Sequence, residues 1–237
     1  MRPVDARRAV TLTATIALIG ALASGPFALL LVGATHPQPA WRDVATFIVA
    51  YHPVQIAPYL FGFVLVAGFA GLVASLHALA PQALAPRTVC ALPFAGAFAA
   101  MVFVNYAIQT TFVPALVTGA PEGDTVLIGA LAMANPRSIG WALEMWGYAA
   151  LGVATWLVAP VFAGTALERV TACLFVLNGP VSILGGVVTA ARPGWVVTPA
   201  GFVAFTVWNL LVMAMAVLTV LAMRQRGLSN ERVRIAF

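Results

Sequence analysis

The chain has 237 residues, of which 62% are hydrophobic and 8% are charged, and its formal net charge at pH 7 is +5. A soluble domain usually has about 25% charged and 45–50% apolar residues, so a soluble fold of this size could not hide so much apolar surface. All 12 basic residues are arginine, which excludes chemistry through a lysine Schiff base, and their spread along the chain argues against binding to nucleic acid.

Six apolar stretches are long enough to cross a membrane, because a spanning helix needs about 20 mostly apolar residues. In chain order, the predicted spans are 9–33, 54–80, 88–114, 139–161, 169–190 and 199–223. The first resembles a signal peptide, but its apolar run continues to Val32, beyond the usual length of such a region. We predict an all-α, polytopic membrane protein with a single six-helix transmembrane domain over residues 1–237.

The arginines predict the orientation of these spans. Nine of them fall on the side of the N-terminus, and the other three, Arg42, Arg137 and Arg192, fall on the opposite side. Short cytoplasmic loops carry the excess of positive charge. We therefore expect both termini in the cytoplasm and the protein in the inner (plasma) membrane of a cell, with the lipid bilayer as its main partner. The sequence leaves the oligomeric state open.

Two connections on the side away from the termini are longer than the others, over residues 34–53 and 115–138. Each contains a short apolar piece, Val44–Tyr51 in one and Thr125–Ala134 in the other. Neither piece is long enough to span a bilayer. We predict that both form short interfacial or re-entrant helices that cover this end of the bundle.

Glu144 is the strongest indication of function, because among the acidic residues it alone lies well inside a predicted span. A carboxyl at such a depth is costly, so it should face the bundle interior or a wet cavity. Removal from water favours its neutral form, which suits a catalytic proton donor. The alternative is a carboxyl near the interface that reaches towards water or pairs with Arg137 or Arg192.

Other polar and aromatic side chains recur at a similar depth in the spans. Asn105 and Gln109, and likewise Asn178 and Ser182, lie four residues apart and so share a helix face. We predict a substrate-binding layer around Glu144 that consists of Asn105, Tyr106, Gln109, Trp141, Trp146, Tyr148, Asn178, Ser182, Trp208 and Asn209. The alternatives are hydrogen bonds that only hold helices together and aromatic rings that only pack or anchor.

Pro180 follows Asn178 and Gly179 in the middle of the fifth predicted span. Proline cannot donate its helical hydrogen bond and kinks a helix. Interrupted helices are typical of binding sites in transporters, although kinks are also frequent in membrane helices without such a role.

The histidines do not indicate a cofactor. His52 and His77 are separated by about 37 Å of helix, too far for two ligands of one haem. His36, His52 and Asp43 match no strong metal-binding spacing. Motifs for phosphate binding and for hydrolases are also missing from the sequence. We predict no cofactor and no metal.

Three functions remain open from the sequence. The first is a membrane-embedded enzyme that cyclises or isomerises a lipophilic, isoprenoid-type small molecule, with Glu144 as proton donor. The second is a small-solute or proton-coupled carrier, with Glu144 as relay. The third is a non-catalytic partner subunit, whose docking faces would be made of small residues, such as Ala95-Gly96-Ala97 with Ala99-Ala100, or Gly68 with Gly71.

Overall fold

The computed structural model describes residues 3–119 and 124–235, and these residues form helices and loops with no strand among them. Six helical segments are long and apolar enough to cross a membrane: Val4–Thr35, Pro53–Leu79, Gln82–Gly119, Ile139–Val161, Ala166–Ala191 and Pro199–Leu228. The all-helical class and the six spans are thereby confirmed. The first, third, fifth and sixth helical segments extend beyond the predicted spans, because helical hydrogen bonding continues where the apolar run stops.

The described residues contain eleven α-helices, of which nine belong to these six segments and two short ones lie outside them. The eleven are α1 (Pro3–Leu22), α2 (Ala28–Thr35), α3 (Val44–Ala50), α4 (Ala57–Leu79), α5 (Ala85–Val89), α6 (Ala91–Ala107), α7 (Val113–Gly119), α8 (Thr125–Leu131), α9 (Ile139–Val158), α10 (Ala166–Ala191) and α11 (Pro199–Ile235). Short 3-10 turns precede α4, α5 and α11 and follow α9, over Pro53–Ile56, Gln82–Leu84, Trp195–Val197 and Ala159–Val161.

The spans are arranged in a ring that follows chain order. Helix α1 packs on α4, α4 on α6, α6 on α9, α9 on α10, α10 on α11, and α11 returns to α1. Short connections favour such antiparallel neighbours. Helices α4 and α9 also touch across the middle of the ring.

Small residues let α1 and α4 approach closely. A side chain at Gly20 would collide with the backbone of Leu65, and one at Gly68 would collide with the backbone of Ala17. Gly71 faces the Thr13 side chain in the same seam. Close backbone approach at small residues is a common basis of helix association in membranes. Gly68 and Gly71 are therefore occupied inside the bundle and are not free docking faces.

Two spans contain a turn of π-helix. Ala23–Phe27 joins α1 to α2 and contains Pro26, which has no N–H to donate. Ile108–Phe112 joins α6 to α7 without a proline and contains Gln109. A π turn adds a residue and rotates the following side chains, and such turns are frequent at functional sites.

Helices α3 and α8 cover one end of the bundle, which we call the capped end; α1 begins and α11 ends at the other, which we call the terminal end. Asp43 begins α3 by accepting a 2.7 Å hydrogen bond from the Thr46 backbone N–H, and this bond holds the pKa of Asp43 below its usual range. Phe47 of α3 and Ile128 of α8 pack together with Val113 in a small apolar cluster. The short helices predicted within 44–51 and 125–134 are thus present.

A buried ion pair closes the terminal end. The Arg226 guanidinium of α11 donates to both Glu168 carboxylate oxygens, at 2.6 and 2.9 Å, and its Nη2 also donates to the Val161 carbonyl at 2.7 Å. The Gly164 backbone N–H donates to Glu168 at 2.8 Å. These bonds join the start of α10, the loop before it and α11.

Candidate functional site

Glu144 faces the interior of the bundle from the second turn of α9 and is 4% exposed. Its two oxygens accept from two neighbours on α6: the Asn105 side-chain amide donates to Oε2 at 2.9 Å, and the Tyr106 hydroxyl donates to Oε1 at 2.9 Å. Among the described residues, no arginine reaches this carboxyl. Neutral donors alone therefore support it in a region of low dielectric constant.

The hydrogen-bond network continues from Asn105 towards the capped end. Gln109, in the π turn of the third span, donates to Asn105 Oδ1 at 3.3 Å and to the Leu131 carbonyl at 2.9 Å. Its own oxygen accepts from the Met133 backbone N–H at 3.0 Å. The Trp141 indole N–H then donates to the Met133 carbonyl at 2.9 Å. The network thus fastens the loop after α8 to α6 and α9.

A second polar cluster lies between α9, α10 and α11. Asn178 donates to the Thr155 hydroxyl at 3.0 Å, and its oxygen accepts from Ser182 at 3.1 Å and from the Trp208 indole N–H at 3.1 Å. The same indole N–H also approaches Ser182 Oγ at 3.0 Å. Gly152 of α9 provides the space, because a side chain there would press on Ser182 and the α10 backbone.

Tyr148 connects the two clusters. Its hydroxyl lies 3.3 Å from the Tyr106 hydroxyl, which is bonded to Glu144. Its ring lies 4.3 Å, between centroids, from the ring of Trp208. A side chain on α9 therefore reaches both the carboxyl and the cluster on α10 and α11.

A cavity of about 210 Å³ adjoins Tyr148 between α9, α10 and α11. Its wall is mainly apolar and aromatic, and it includes Tyr148, Ser182, Gly185, Trp195, Phe205 and Trp208. Leu184, which is 62% exposed, also lines it, so the cavity reaches the lipid-facing surface between α10 and α11. Glu144 does not line this cavity and is separated from it by the tyrosines.

A second, much smaller cavity of about 20 Å³ lies beneath the capped end. Polar side chains make up much of its wall, namely Gln38, Tyr51, Gln55, Tyr59 and Gln109. This volume is enough for about one water molecule. Gln109 is shared between this cavity and the Glu144 network.

The structure brings most of the predicted layer together, but as two clusters. Glu144, Asn105, Tyr106, Gln109 and Tyr148 form the first, and Asn178, Ser182 and Trp208 form the second. Trp141 borders the first through the Met133 carbonyl.

Two of the predicted residues lie apart from both clusters. Trp146 is 44% exposed and faces outwards beside Gly186, and Asn209 donates to the Phe205 carbonyl of its own helix at 2.8 Å. The expectation that they join the layer is wrong, because depth along a helix does not determine rotation about its axis.

Thr155, Met133 and Leu131 belong to the network without having been predicted. Thr155 had a usable signal, since it follows Tyr148 by seven residues and so shares the helix face of Glu144. Leu131, the last residue of α8, and Met133, in the loop after it, contribute backbone atoms, and Met133 Sδ also accepts from the Asn105 amide at 3.0 Å. No residue pattern points to either of them.

The fifth span is continuous through Pro180, because α10 runs unbroken from Ala166 to Ala191. The transporter-type interruption considered from the sequence is therefore not found here. The proline is accommodated beside Gly179, against which the Trp156 ring packs.

The histidines make contacts of other kinds. The rings of His36 and His52 stack in parallel, with centroids 3.4 Å apart, and His77 Nδ1 lies 2.9 Å from the Thr88 hydroxyl. In the part of the chain that the structure describes, no three His, Cys, Asp or Glu side chains are grouped as metal ligands.

No known protein family, curated protein or solved structure matches this chain. The fold and its six spans define the class by themselves: a multi-pass α-helical membrane protein.

Proposed function

We propose that the protein is a membrane-embedded enzyme that isomerises or cyclises a lipophilic, isoprenoid-type molecule by acid catalysis. One observation carries this proposal: Tyr148 lines the apolar cavity and is also hydrogen-bonded, through Tyr106, to the buried carboxyl of Glu144. A binding site and a source of protons therefore share one side chain.

The cavity supports binding of a lipophilic molecule from the bilayer. An apolar cavity of roughly 150 Å³ holds a benzene ring, so about 210 Å³ accommodates a ring or a branched isoprene segment. The exposed position of Leu184 at its edge offers entry from the lipid side. Apolar walls with few polar groups are typical of small-molecule sites.

The network supports delivery of a proton to this cavity. When Glu144 is neutral, Oε1 carries the proton and donates to the Tyr106 oxygen, Tyr106 donates to Tyr148, and Tyr148 donates towards the ligand. The proton moves to a carbon of the substrate while Tyr148 regains one from Tyr106 and Tyr106 regains one from Glu144, which becomes a carboxylate. The proton lost from another carbon then passes back through Tyr148 and Tyr106 to Glu144. In an isomerisation or cyclisation, no atom is then gained or lost.

The roles differ from those expected from the sequence. Because Glu144 does not line the cavity, we assign it the part of proton store behind the tyrosines, and Tyr148 takes the place next to the substrate. The rings of Phe205 and Trp208 face the same cavity and stabilise positive charge that develops on the ligand.

Isotope incorporation tests this proposal and does not require a chosen substrate. Purified protein is reconstituted into vesicles of a total lipid and isoprenoid extract in D₂O, and neutral lipids are analysed by mass spectrometry. We expect a lipophilic species that gains one deuterium on carbon. Glu144→Gln should slow this labelling by about a hundredfold or more, and Tyr148→Phe should do the same, since acid catalysis contributes about that much.

Ser75→Ala is the control, because Ser75 lies on α4 away from both cavities and should label like the wild-type protein. Absence of deuterium in every lipid of the wild-type sample would exclude the enzyme. Equal labelling by the wild-type protein and Glu144→Gln would exclude the carboxyl as the proton source.

A proton-coupled carrier is the second candidate, favoured by the position of the network between two cavities. Gln109 borders the small polar cavity and Tyr148 borders the large apolar one. Vesicles with a trapped pH-sensitive dye and an imposed membrane potential distinguish the two functions. A carrier moves protons and loses this flux in Glu144→Gln, whereas the proposed enzyme moves none.

The arginine distribution supports a cytoplasmic location of both termini, and so of the terminal end of the bundle. A single cysteine tests this in a chain with Cys90→Ser and Cys173→Ser. In whole cells, a membrane-impermeant maleimide should label Ala40→Cys at the capped end and spare Gln82→Cys at the terminal end. The reverse pattern would overturn the orientation.

A further inference from the structure

We propose that the ligand of the large cavity is a lipophilic alcohol, whose hydroxyl donates a hydrogen bond to Ser182 Oγ. This inference rests on the proposed function, because it specifies the substrate of the same cavity. The donors and acceptors of the cavity wall lead to it.

Ser182 has an acceptor site to offer but no donor. Its hydroxyl proton is given to Asn178 Oδ1 at 3.1 Å, and its oxygen accepts from the Trp208 indole N–H at 3.0 Å. A hydroxyl oxygen accepts through two lone pairs. One lone pair of Ser182 Oγ is therefore left without a donor, in a residue that lines the cavity.

The other hydrogen-bond donors of the described cavity wall are also already engaged. The Trp195 indole N–H donates to the Thr189 hydroxyl at 2.7 Å, and that hydroxyl donates to the Gly185 carbonyl at 2.9 Å. The single proton of the Trp208 indole is shared between Asn178 and Ser182.

Tyr148 is also an acceptor at the wall, because of the direction of its hydrogen bond. The Tyr106 hydroxyl has one proton and gives it to Glu144. In the 3.3 Å contact between the two hydroxyls, Tyr148 is therefore the donor, and its oxygen keeps free lone pairs. The wall thus offers acceptors only, as long as Glu144 is charged.

An alcohol is the lipophilic group that fits both states of this wall. The alcohol donates to Ser182 Oγ while Glu144 is charged. When Glu144 is neutral, the hydrogen bonds between the hydroxyls run in the opposite direction, and the alcohol can also accept from Tyr148. An ether, ester or ketone only accepts, which would leave the buried Ser182 lone pair unmatched. An ammonium ion would need a counter-charge, and among the described residues of the wall none is acidic.

Matched ligands test the inference. Farnesol and its methyl ether differ by the donor alone, and both are titrated against the protein in nanodiscs, with amounts expressed as mole fraction in the lipid. A change in tryptophan fluorescence reports occupancy of the cavity, because Trp195 and Trp208, two of the six tryptophans, line it. We expect farnesol to bind about threefold to tenfold more tightly than the ether, the usual value of one hydrogen bond.

Ser182→Ala should remove this preference by weakening farnesol alone. In that variant the Trp208 indole N–H still donates to Asn178 Oδ1, so α10 and α11 remain joined by this hydrogen bond. Ser75→Ala should keep the preference. Equal binding of alcohol and ether to the wild-type protein would overturn the inference while leaving a lipophilic site. Binding of neither would overturn the site as well.

Discussion

Among the described residues, two carboxyls are buried, and their surroundings are very different. Glu168, at the terminal end, is held by an arginine that reaches both of its oxygens. Glu144, nearer the capped end, is held by an amide and a phenol, both neutral. The first carboxyl has its charge balanced by a fixed cation, whereas the second depends on hydrogen bonds that survive in either charge state.

This difference separates a structural role from a chemical one. A buried ion pair cannot lose one partner without leaving a costly unpaired charge, so the Glu168 pair is committed to holding loops and helices together. A carboxyl with neutral partners can gain or lose a proton and keep its place. That property is what a proton store next to a ligand cavity requires.

The largest effect on stability is expected at the ion pair. Arg226→Met leaves the Glu168 carboxylate buried without its cation and should lower the free energy of unfolding by about 3 kcal/mol, measured by thermal or denaturant unfolding in detergent. The combined variant Glu168→Gln/Arg226→Met should recover most of the loss. Arg224→Met, at an exposed position, serves as the control. A loss below about 1 kcal/mol would show that solvent at the 27% exposed Arg226 side chain screens the pair.

A smaller effect is expected where α4 supports the network. Any side chain at Gly62 would collide with the Tyr106 ring, so Gly62→Ala should cost about 1–3 kcal/mol and displace the hydroxyl that donates to Glu144. Deuterium labelling should fall in this variant. Gly96→Ala is the matched control, because nothing lies within 4 Å of the added carbon, and it should be neutral or stabilising by about 0.5–1 kcal/mol. Equal free energies of unfolding for Gly62→Ala and Gly96→Ala would contradict the tight fit at Tyr106.

The smallest effect on stability is expected at Glu144 itself. In Glu144→Gln, the new amide oxygen can accept from Asn105 and the new amide N–H can donate to the Tyr106 oxygen, so the free energy of unfolding should change by about 1 kcal/mol or less. Unfolding curves of Glu144→Gln and Arg226→Met, measured under the same conditions, compare how much each carboxyl contributes to stability. A change at Glu144 larger than that at Arg226 would reverse the roles of the two carboxyls.

Patterns along single helices can be read from the sequence. Hydropathy over windows of about 20 residues predicts all six spans, since exclusion from water depends on composition and not on neighbours. The period of the helix predicts that Asn178 and Ser182 share a face, and the two are hydrogen-bonded. It also places Glu144 and Tyr148 on one face of α9.

A helix boundary limits what the sequence shows about Glu168. The predicted fifth span begins at 169 and leaves Glu168 in a loop, whereas α10 begins at Ala166 and Thr165 caps it. Among the described acids Glu144 is still the one well inside a span, but no pattern in the sequence indicates that Glu168, in the first turn of α10, is also buried. Charged residues near helix ends hide such boundaries, because an apolar window stops before the hydrogen-bonded helix does.

The sequence by itself determined that this chain is a six-span helical membrane protein and which polar groups lie at similar depth, because both follow from local periodicity and from transfer out of water. Only the tertiary structure decided which of those groups meet. Rotation of each helix is set by packing at residues such as Gly62 and Gly152, and this brought Tyr148 between the carboxyl and the cavity. The same rotation turned Trp146 outwards and left Asn209 bonded to its own helix.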